Sequence, residues 1–486
     1  MDDKKTTRRN LWMFPMGTLG RDMLYNLVTS FLLTFILFTK GLTAAQLTAV
    51  TAIMVIARVF DALNDPIMGT IIENTRTRWG KFKPWMVIGI LLTSVLVIMV
   101  FCSNLTGWDF VILFAVFYIL YSLAYTMHDI SYWGMVPALG SDAGTRDQLT
   151  SRASLFAGIG STLAGIAIPM FTAGAMTIGG SSNVAYKYVA IAVSILAPLF
   201  LCATLFWVKE NRQPVATKKA KGGLKQILTV VKENDQLRWI AIIFLIQQVG
   251  NGLIVGGIGS TYVYFTYGYE GGLYSLFTII GMSATAFLMI FYPAISRKIN
   301  RKPLMNQMAI ISVVGYVLMI VSRVIPGWGF WVLVIGYMLS NFGQYSYYLI
   351  MMISIINTVE YNEYQNGVRE EAMIASVRPL MTKMSSAIIA LAISASYIIF
   401  GVTNYTNKIS ELETMASSGA ITEAEKLASI TEILSGVTSG QSWGLLLFMT
   451  ILPCALMLIS NYLYQKNYKL DEEEYARICK ELELNH

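Results

Sequence analysis

Two carboxylates four residues apart, Asp61 and Asp65, stand in the stretch RVFDALNDPIMG, with Asn64 between them. Residues at that spacing share one face of a helix. Two ionised acids on one face repel unless a cation or a proton sits between them. Asp61, Asn64 and Asp65 together offer the oxygen ligands that a hard monovalent cation, Na+ or Li+, requires, and a proton on one acid would serve equally. Arg58, three residues earlier, offers another solution, a structural Arg–Asp pair, and spacing leaves both open. Pro66 removes a backbone hydrogen bond and would free a carbonyl near Ala62, which favours a kink there.

A second constellation lies in YTMHDISYW, residues 125–133. Tyr125, Asp129 and Trp133 follow one another at intervals of four and line one helix face. An acid among aromatic rings suits sugar recognition. The carboxylate accepts hydroxyl hydrogen bonds, and a ring covers the apolar C–H face of a pyranose. A tryptophan alone would read as an interfacial anchor; Asp129 on the same face favours the sugar. His128 reads as a satisfied neighbour. Asp22, in GRDMLYN, is either a second hydroxyl-binding acid or a residue paired near its helix end beside Arg21. Lys383, in SVRPLMTKMSSAI after Arg378 and Pro379, would lose its proton if left unpaired in an apolar medium. Pairing with an acid is the cheaper solution, so Lys383 belongs to the site or to its coupling.

These charges matter because of the elements that must carry them. The chain has 486 residues, 55% hydrophobic and 13% charged, with mean hydropathy +0.56. Apolar runs of about 20 residues or more recur between short polar breaks, the pattern of an all-α membrane protein. Twelve transmembrane helices are expected, roughly at 16–39, 46–73, 84–103, 109–137, 148–176, 185–208, 236–266, 273–296, 303–323, 328–357, 370–402 and 441–464. A charge at the centre of such a helix costs roughly 2.5–3.5 kcal/mol, so it normally faces a partner or a watery cavity. Four scattered cysteines and two histidines make no disulfide framework and no transition-metal centre. No catalytic constellation is present, so an enzyme is not expected, nor is a cofactor beyond a coupling cation. The N-terminus shows no removable signal peptide.

The net charge of +7 is a matter of topology, not of nucleic acid. With twelve spans, 28 lysines and arginines fall on the side of the termini and five on the other. Both termini are therefore expected in the cytoplasm, with the chain in the cell (inner) membrane. The longest basic break divides the chain into a six-helix bundle at 1–208, a flexible cytoplasmic linker at 209–235 and a second six-helix bundle at 236–465, followed by a cytoplasmic tail at 466–486. RTRWGKFKP after the second span and SRKINRKP after the eighth suggest related halves and the major facilitator fold. An outer insertion, 403–441, reads as amphipathic helix, either a lid or a passive addition.

At these residues the chain resembles the glycoside–pentoside–hexuronide:cation symporters. ARVFDALNDPIMGTIIENTRTRWGKFKPWMVIG is similar to the family's second span and following loop, YTMHDISYW to its fourth, NTVEYNEYQNGVREEAM to its tenth loop and SVRPLMTKMSSA to its eleventh span. The resemblance implies symport of a sugar with Na+, Li+ or H+ by alternating access. It places Asp61, Asn64 and Asp65 at the cation site, with Thr126 as a further contact. It places Asp22, Asp129 and Trp133, with Tyr125 alongside, at the sugar site, and matches Lys383 to the family's lysine. The family's sugar-contacting arginine of span 5 aligns with Ser154, so Arg152, two residues earlier, is the candidate to replace it. The expected partners are a small sugar and the lipid bilayer, with the protein a monomer. A lysolipid carrier of the same fold, or a sugar sensor that does not transport, are the alternatives.

Overall fold

The computed structural model describes residues 2–139, 143–209, 224–254, 257–296, 298–368 and 370–485, and every regular element among them is helical. The chain starts with α1 (Asp2–Asn26), a π-helical turn (Leu27–Phe31), α2 (Leu32–Thr39), α3 (Ala44–Asn74), α4 (Lys83–Phe101) and α5 (Gly107–Gly134). Next come α6 (Val136–Leu139), α7 (Ala143–Thr172), α8 (Ser182–Trp207), α9 (Leu224–Glu233), α10 (Asp235–Gly252), α11 (Gly257–Tyr267) and α12 (Gly271–Ser296). The rest is α13 (Arg301–Val321), α14 (Gly329–Asn366), α15 (Glu371–Ile399), α16 (Val402–Ser417), α17 (Glu423–Ser435), α18 (Ser439–Asn467) and α19 (Glu472–Asn485).

Ten stretches among the described residues are long and apolar enough to cross a membrane. The two further expected spans, 273–296 and 328–357, fall on α12 and α14, helices of 26 and 38 residues. The basic N-terminal residues lie on α1, which starts at Asp2. One expectation needs correction. The linker expected as flexible lies partly outside the described residues, at 210–223, and from Leu224 onward it is the helix α9. Pro66 lies within α3, which runs as one helix from Ala44 to Asn74.

The chain divides into two compact units. The first comprises Met1–Ala220, Gly268–Ser275 and Gly401–Val437; the second comprises Lys221–Tyr267, Leu276–Phe400 and Thr438–His486. The division does not follow span order. The expected insertion is two helices, α16 and α17, and both belong to the first unit.

In the first unit, small residues set the helix approaches. Gly160 of α7 faces the backbone of Leu19, and Gly20 faces the backbone of Leu196 and Ala197 on α8, so a Cβ at either glycine would overlap main-chain atoms. Without a hydrophobic drive between helices in lipid, such close contact supplies the association. Thr18 Oγ1 adds a hydrogen bond to the Ala153 carbonyl at 3.0 Å, and Asn26 Nδ2 one to the Ser161 carbonyl at 2.9 Å. His128 is buried against α4, with Nδ1 3.1 Å from the Met86 carbonyl. The start of α3 is set by a capping box between Thr43 and Gln46.

In the second unit, α13 and α14 meet at Gly315 and Gly336. A buried amide chain runs from Gln247 Nε2 to Gln344 Oε1 at 3.0 Å and from Gln344 Nε2 to the Tyr316 hydroxyl at 2.9 Å. The tail is anchored where Arg301 Nε donates to Glu472 Oε1 at 2.8 Å and Arg301 Nη2 to the Leu470 carbonyl at 3.1 Å.

Candidate functional site

The acids of α3 take separate partners. Arg58 Nη1 lies 3.5 Å from Asp61 Oδ2. Its guanidinium carbon also stands 5.9 Å from the centre of the Tyr118 ring. One turn further on, Asp65 Oδ1 accepts from Thr126 Oγ1 of α5 at 3.3 Å. Asn64 is buried between them, and its amide nitrogen has no hydrogen-bond partner among the described residues. Rotated by half a turn, that amide would present its oxygen to the same space. Two carboxylates, an amide and a hydroxyl form a set of hard ligands suited to a small monovalent cation or a proton. The Arg58–Asp61 pair and this ligand set coexist, so the two readings open at the sequence level need not exclude one another.

A second set of charges surrounds α5 on the side of α1. Arg21 Nη2 reaches Asp22 Oδ2 at 2.7 Å, and Arg21 Nη1 reaches Asp129 Oδ1 at 3.0 Å. The Arg21 side chain is 4% exposed, Asp22 15% and Asp129 38%. Arg21 also lies 5.2 Å from the Tyr132 ring centre and 5.6 Å from that of Trp133, within cation–π range. Tyr132 is fixed beneath it, stacked on Phe14 at 4.2 Å and donating its hydroxyl hydrogen to the Phe14 carbonyl at 2.6 Å. Tyr125 stacks on Tyr25 at 4.8 Å. Acids, a guanidinium and aromatic faces thus converge, and Asp129 is the most exposed of the three charged groups.

The two sets are linked through α5. Thr126 and Asp129 are three residues apart, about 4.5 Å of helix rise. One turn of α5 therefore offers a hydroxyl to the α3 acids and a carboxylate to Arg21.

The structure makes the Arg21 pairing open for Asp22 at the sequence level and extends it to Asp129, the part that sequence reasoning missed. Arg21 is buried inside α1 and bridges Asp22, its neighbour, to Asp129, 108 positions further along the chain. Its adjacency to Asp22 was the available signal. Arg152 corrects in the opposite direction. It donates to the Leu11 carbonyl at 3.4 Å and stands 4.6 Å from the Trp12 ring centre. Trp12 is ten residues before Asp22 on α1, about 15 Å along the axis, so the structure does not bring Arg152 to the sugar acids. Ser154, its alternative, is exposed on α7. Lys383 is half-buried on α15, in the second unit, whereas every other candidate belongs to the first. Arg378 is exposed, 3.4 Å from the Tyr348 hydroxyl.

Residues 13–472 match the family model described as MFS/sugar transport protein. The lactose permease of Leuconostoc lactis is 30% identical over 413 residues, which cover 80% of this chain and 62% of that permease. The chain thus spans less than two thirds of that relative's length. The raffinose carrier protein of Pediococcus pentosaceus is 27% identical, covering 97% of this chain and 71% of its own. The glucuronide carrier protein homolog of Escherichia coli is 23% identical, covering 98% and 95%. The crystal structure of a D-xylose-proton symporter superimposes with a TM-score of 0.58 at 14% identity over 87% of this chain and 99% of that one, a likeness of fold. These relatives are permeases, carriers and symporters, not enzymes. By its family model and its relatives, the chain belongs to the MFS/sugar transport proteins, in their glycoside–pentoside–hexuronide:cation symporter branch.

Proposed function

We propose that the chain is a secondary active transporter that moves a sugar together with Na+, Li+ or H+ by alternating access. The observation that carries this reading is the shared turn of α5, with Thr126 on Asp65 and Asp129 on Arg21. Asp61, Asn64 and Asp65, with Thr126, hold the cation. Asp22 and Asp129 accept sugar hydroxyls, Trp133 and Tyr125 cover apolar ring faces, and Arg21 orients the acids and donates to the sugar. A cation on the α3 acids fixes Thr126 and with it the turn that aims Asp129. Each ligand then raises the other's affinity by the same factor. Inward movement of one positive charge through 100 mV releases about 2.3 kcal/mol, enough for about fifty-fold accumulation. Lys383 joins the coupling from the second unit.

Both termini face the cytoplasm in this reading, and the chain lies in the cell membrane as a monomer. Lactose, raffinose and glucuronides are the first sugars to test, because relatives carry their names. The test is uptake of labelled sugars into proteoliposomes under imposed Na+, Li+ or proton gradients. Gradient-dependent accumulation is expected for at least one pair. Uptake indifferent to all three cations, across a panel of glycosides, pentosides and hexuronides, overturns the reading.

A further inference from the structure

The helices α16 and α17 belong to the first unit by packing, yet the chain leads into them from α15 and out of them into α18, both of the second unit. Their attachment centres on Glu413 of α16 and Lys426 of α17, 3.3 Å apart, each side chain 0% exposed. Neither charge is spent on its partner alone. Glu413 Oε2 accepts the Ser182 N–H at 2.7 Å, and Oε1 accepts the Ser182 hydroxyl at 3.1 Å. Lys426 Nζ donates to the Gly180 carbonyl at 2.7 Å. Ser181 Oγ donates to the Glu413 carbonyl at 2.8 Å, and the Tyr269 hydroxyl stands 2.9 Å from Ser182 Oγ. At the rim, Asn183 Nδ2 donates to Thr414 Oγ1 at 3.3 Å, and Asn407 Nδ2 to the Leu42 carbonyl at 3.1 Å. All of these contacts grip residues that connect apolar spans or stand at the first turn of one.

A fully buried ion pair is a poor choice if firmness were the only need. Its desolvation offsets most of its attraction, and a packed apolar pair of similar volume is often as stable or more so. What it provides is a single docked geometry in which Glu413 and Lys426 each take several partners, bonds that water would take over on undocking. That is a two-position element. The chain enters α16 through Gly401, whose φ of +64° lies in the left-handed region that other residues strain to adopt.

We propose that α16–α17 is a latch, docked on the 180–183 turn through Glu413 and Lys426, that must release from this turn in each transport turnover. The chain enters the pair from α15 and leaves it into α18, so a movement of either helix would be transmitted to these bonds. The inference rests on the transport reading for its turnover readout, and a second readout is independent of it.

The experiment replaces the four native cysteines by alanine and introduces N183C and T414C at the exposed rim of the contact. In proteoliposomes, the reduced protein transports sugar. Oxidation to the disulfide lowers uptake at least ten-fold, and dithiothreitol restores it. Unchanged uptake in the oxidised protein overturns the latch, because a fixed brace tolerates the lock. Failure of the disulfide to form overturns the docking. If neither this protein nor the unmodified chain takes up any sugar, it is the transport reading that fails. The latch is then decided by S182C, a buried position reachable only when α16 lifts. Alkylation by a small maleimide within minutes to hours supports release, and complete protection overturns it.

Discussion

The first unit holds two groups of buried charge built from the same chemistry. In one, Arg21 sits between Asp22 and Asp129, and Arg58 beside Asp61. In the other, Glu413 and Lys426 meet between two short helices and a turn. The difference lies in what is left over. Glu413 and Lys426 are 0% exposed, and backbone and hydroxyl groups complete their bonding. Around Arg21 and Arg58, Asp129 keeps 38% of its side chain exposed, and the Asn64 amide nitrogen is buried without a partner. Burying polar groups without hydrogen bonds is costly. In the proposed reading the first group keeps polar capacity for a ligand, whereas Glu413 and Lys426 spend theirs within the chain.

This contrast can be broken, and the largest effect is expected at the α3 acids. D61N or D65N removes a ligand charge and should abolish gradient-driven accumulation, which at 100 mV is a loss of about fifty-fold or about 2.3 kcal/mol of coupling. Sugar exchange without a gradient should survive. Uptake assays with each cation check this, and retained accumulation would place the cation elsewhere. Next in size is the closed group. E413A leaves Lys426 buried without its counter-charge, which typically costs about 3–5 kcal/mol, while E413L/K426M should be within about 1 kcal/mol of wild type. Thermal unfolding in detergent distinguishes the two, and equal losses would mean that the pair is not self-contained.

Arg21 comes third. R21A should weaken sugar binding by about ten- to a hundred-fold, consistent with about 1.5–3 kcal/mol for a hydrogen bond to a charged group, and R21K should recover part of it. Equilibrium binding of labelled sugar gives the number. R152A is the matching control and should change sugar affinity less than two-fold; a larger loss would return the span-5 role to Arg152.

The smallest effect concerns Glu472 of α19, outside the spans, and its partner Arg301, buried at the start of α13. Burial alone would raise the Glu472 carboxyl, but the Arg301 N–H and guanidinium outweigh it and hold the group below its ordinary value of 4.5. A lowered carboxylate contributes stability that is present above the unfolded value and fades as pH falls through the folded one. Amide exchange in α19 should therefore rise below about pH 4.5 in wild type, and E472Q should show that faster exchange already at pH 7.

Much of this was legible in the residues. Length and hydropathy determined the long helices, because lipid demands about 20 apolar residues per crossing and internal hydrogen bonding of every one. Helical period placed Asp61, Asn64 and Asp65 on one face, and Tyr125, Asp129 and Trp133 on another. The amphipathic pattern after the eleventh span correctly marked helix, now α16 and α17. Period gives a face, however, and says nothing of which helix lies opposite it. The Arg21–Asp129 bond joins residues 108 positions apart, and the Lys426–Gly180 bond joins residues 246 apart. Both follow from which helices approach closely, and glycines such as Gly20 and Gly160 decide that through space a side chain would fill. Arg152 shows the same limit in reverse, since two residues' displacement on α7 turns a guanidinium from the acids towards Trp12. The sequence by itself determined the helices, the charges they carry and the faces those charges share. Only the tertiary structure decided the partners, because a buried charge is satisfied by whatever the packing of neighbouring helices brings within about 3 Å.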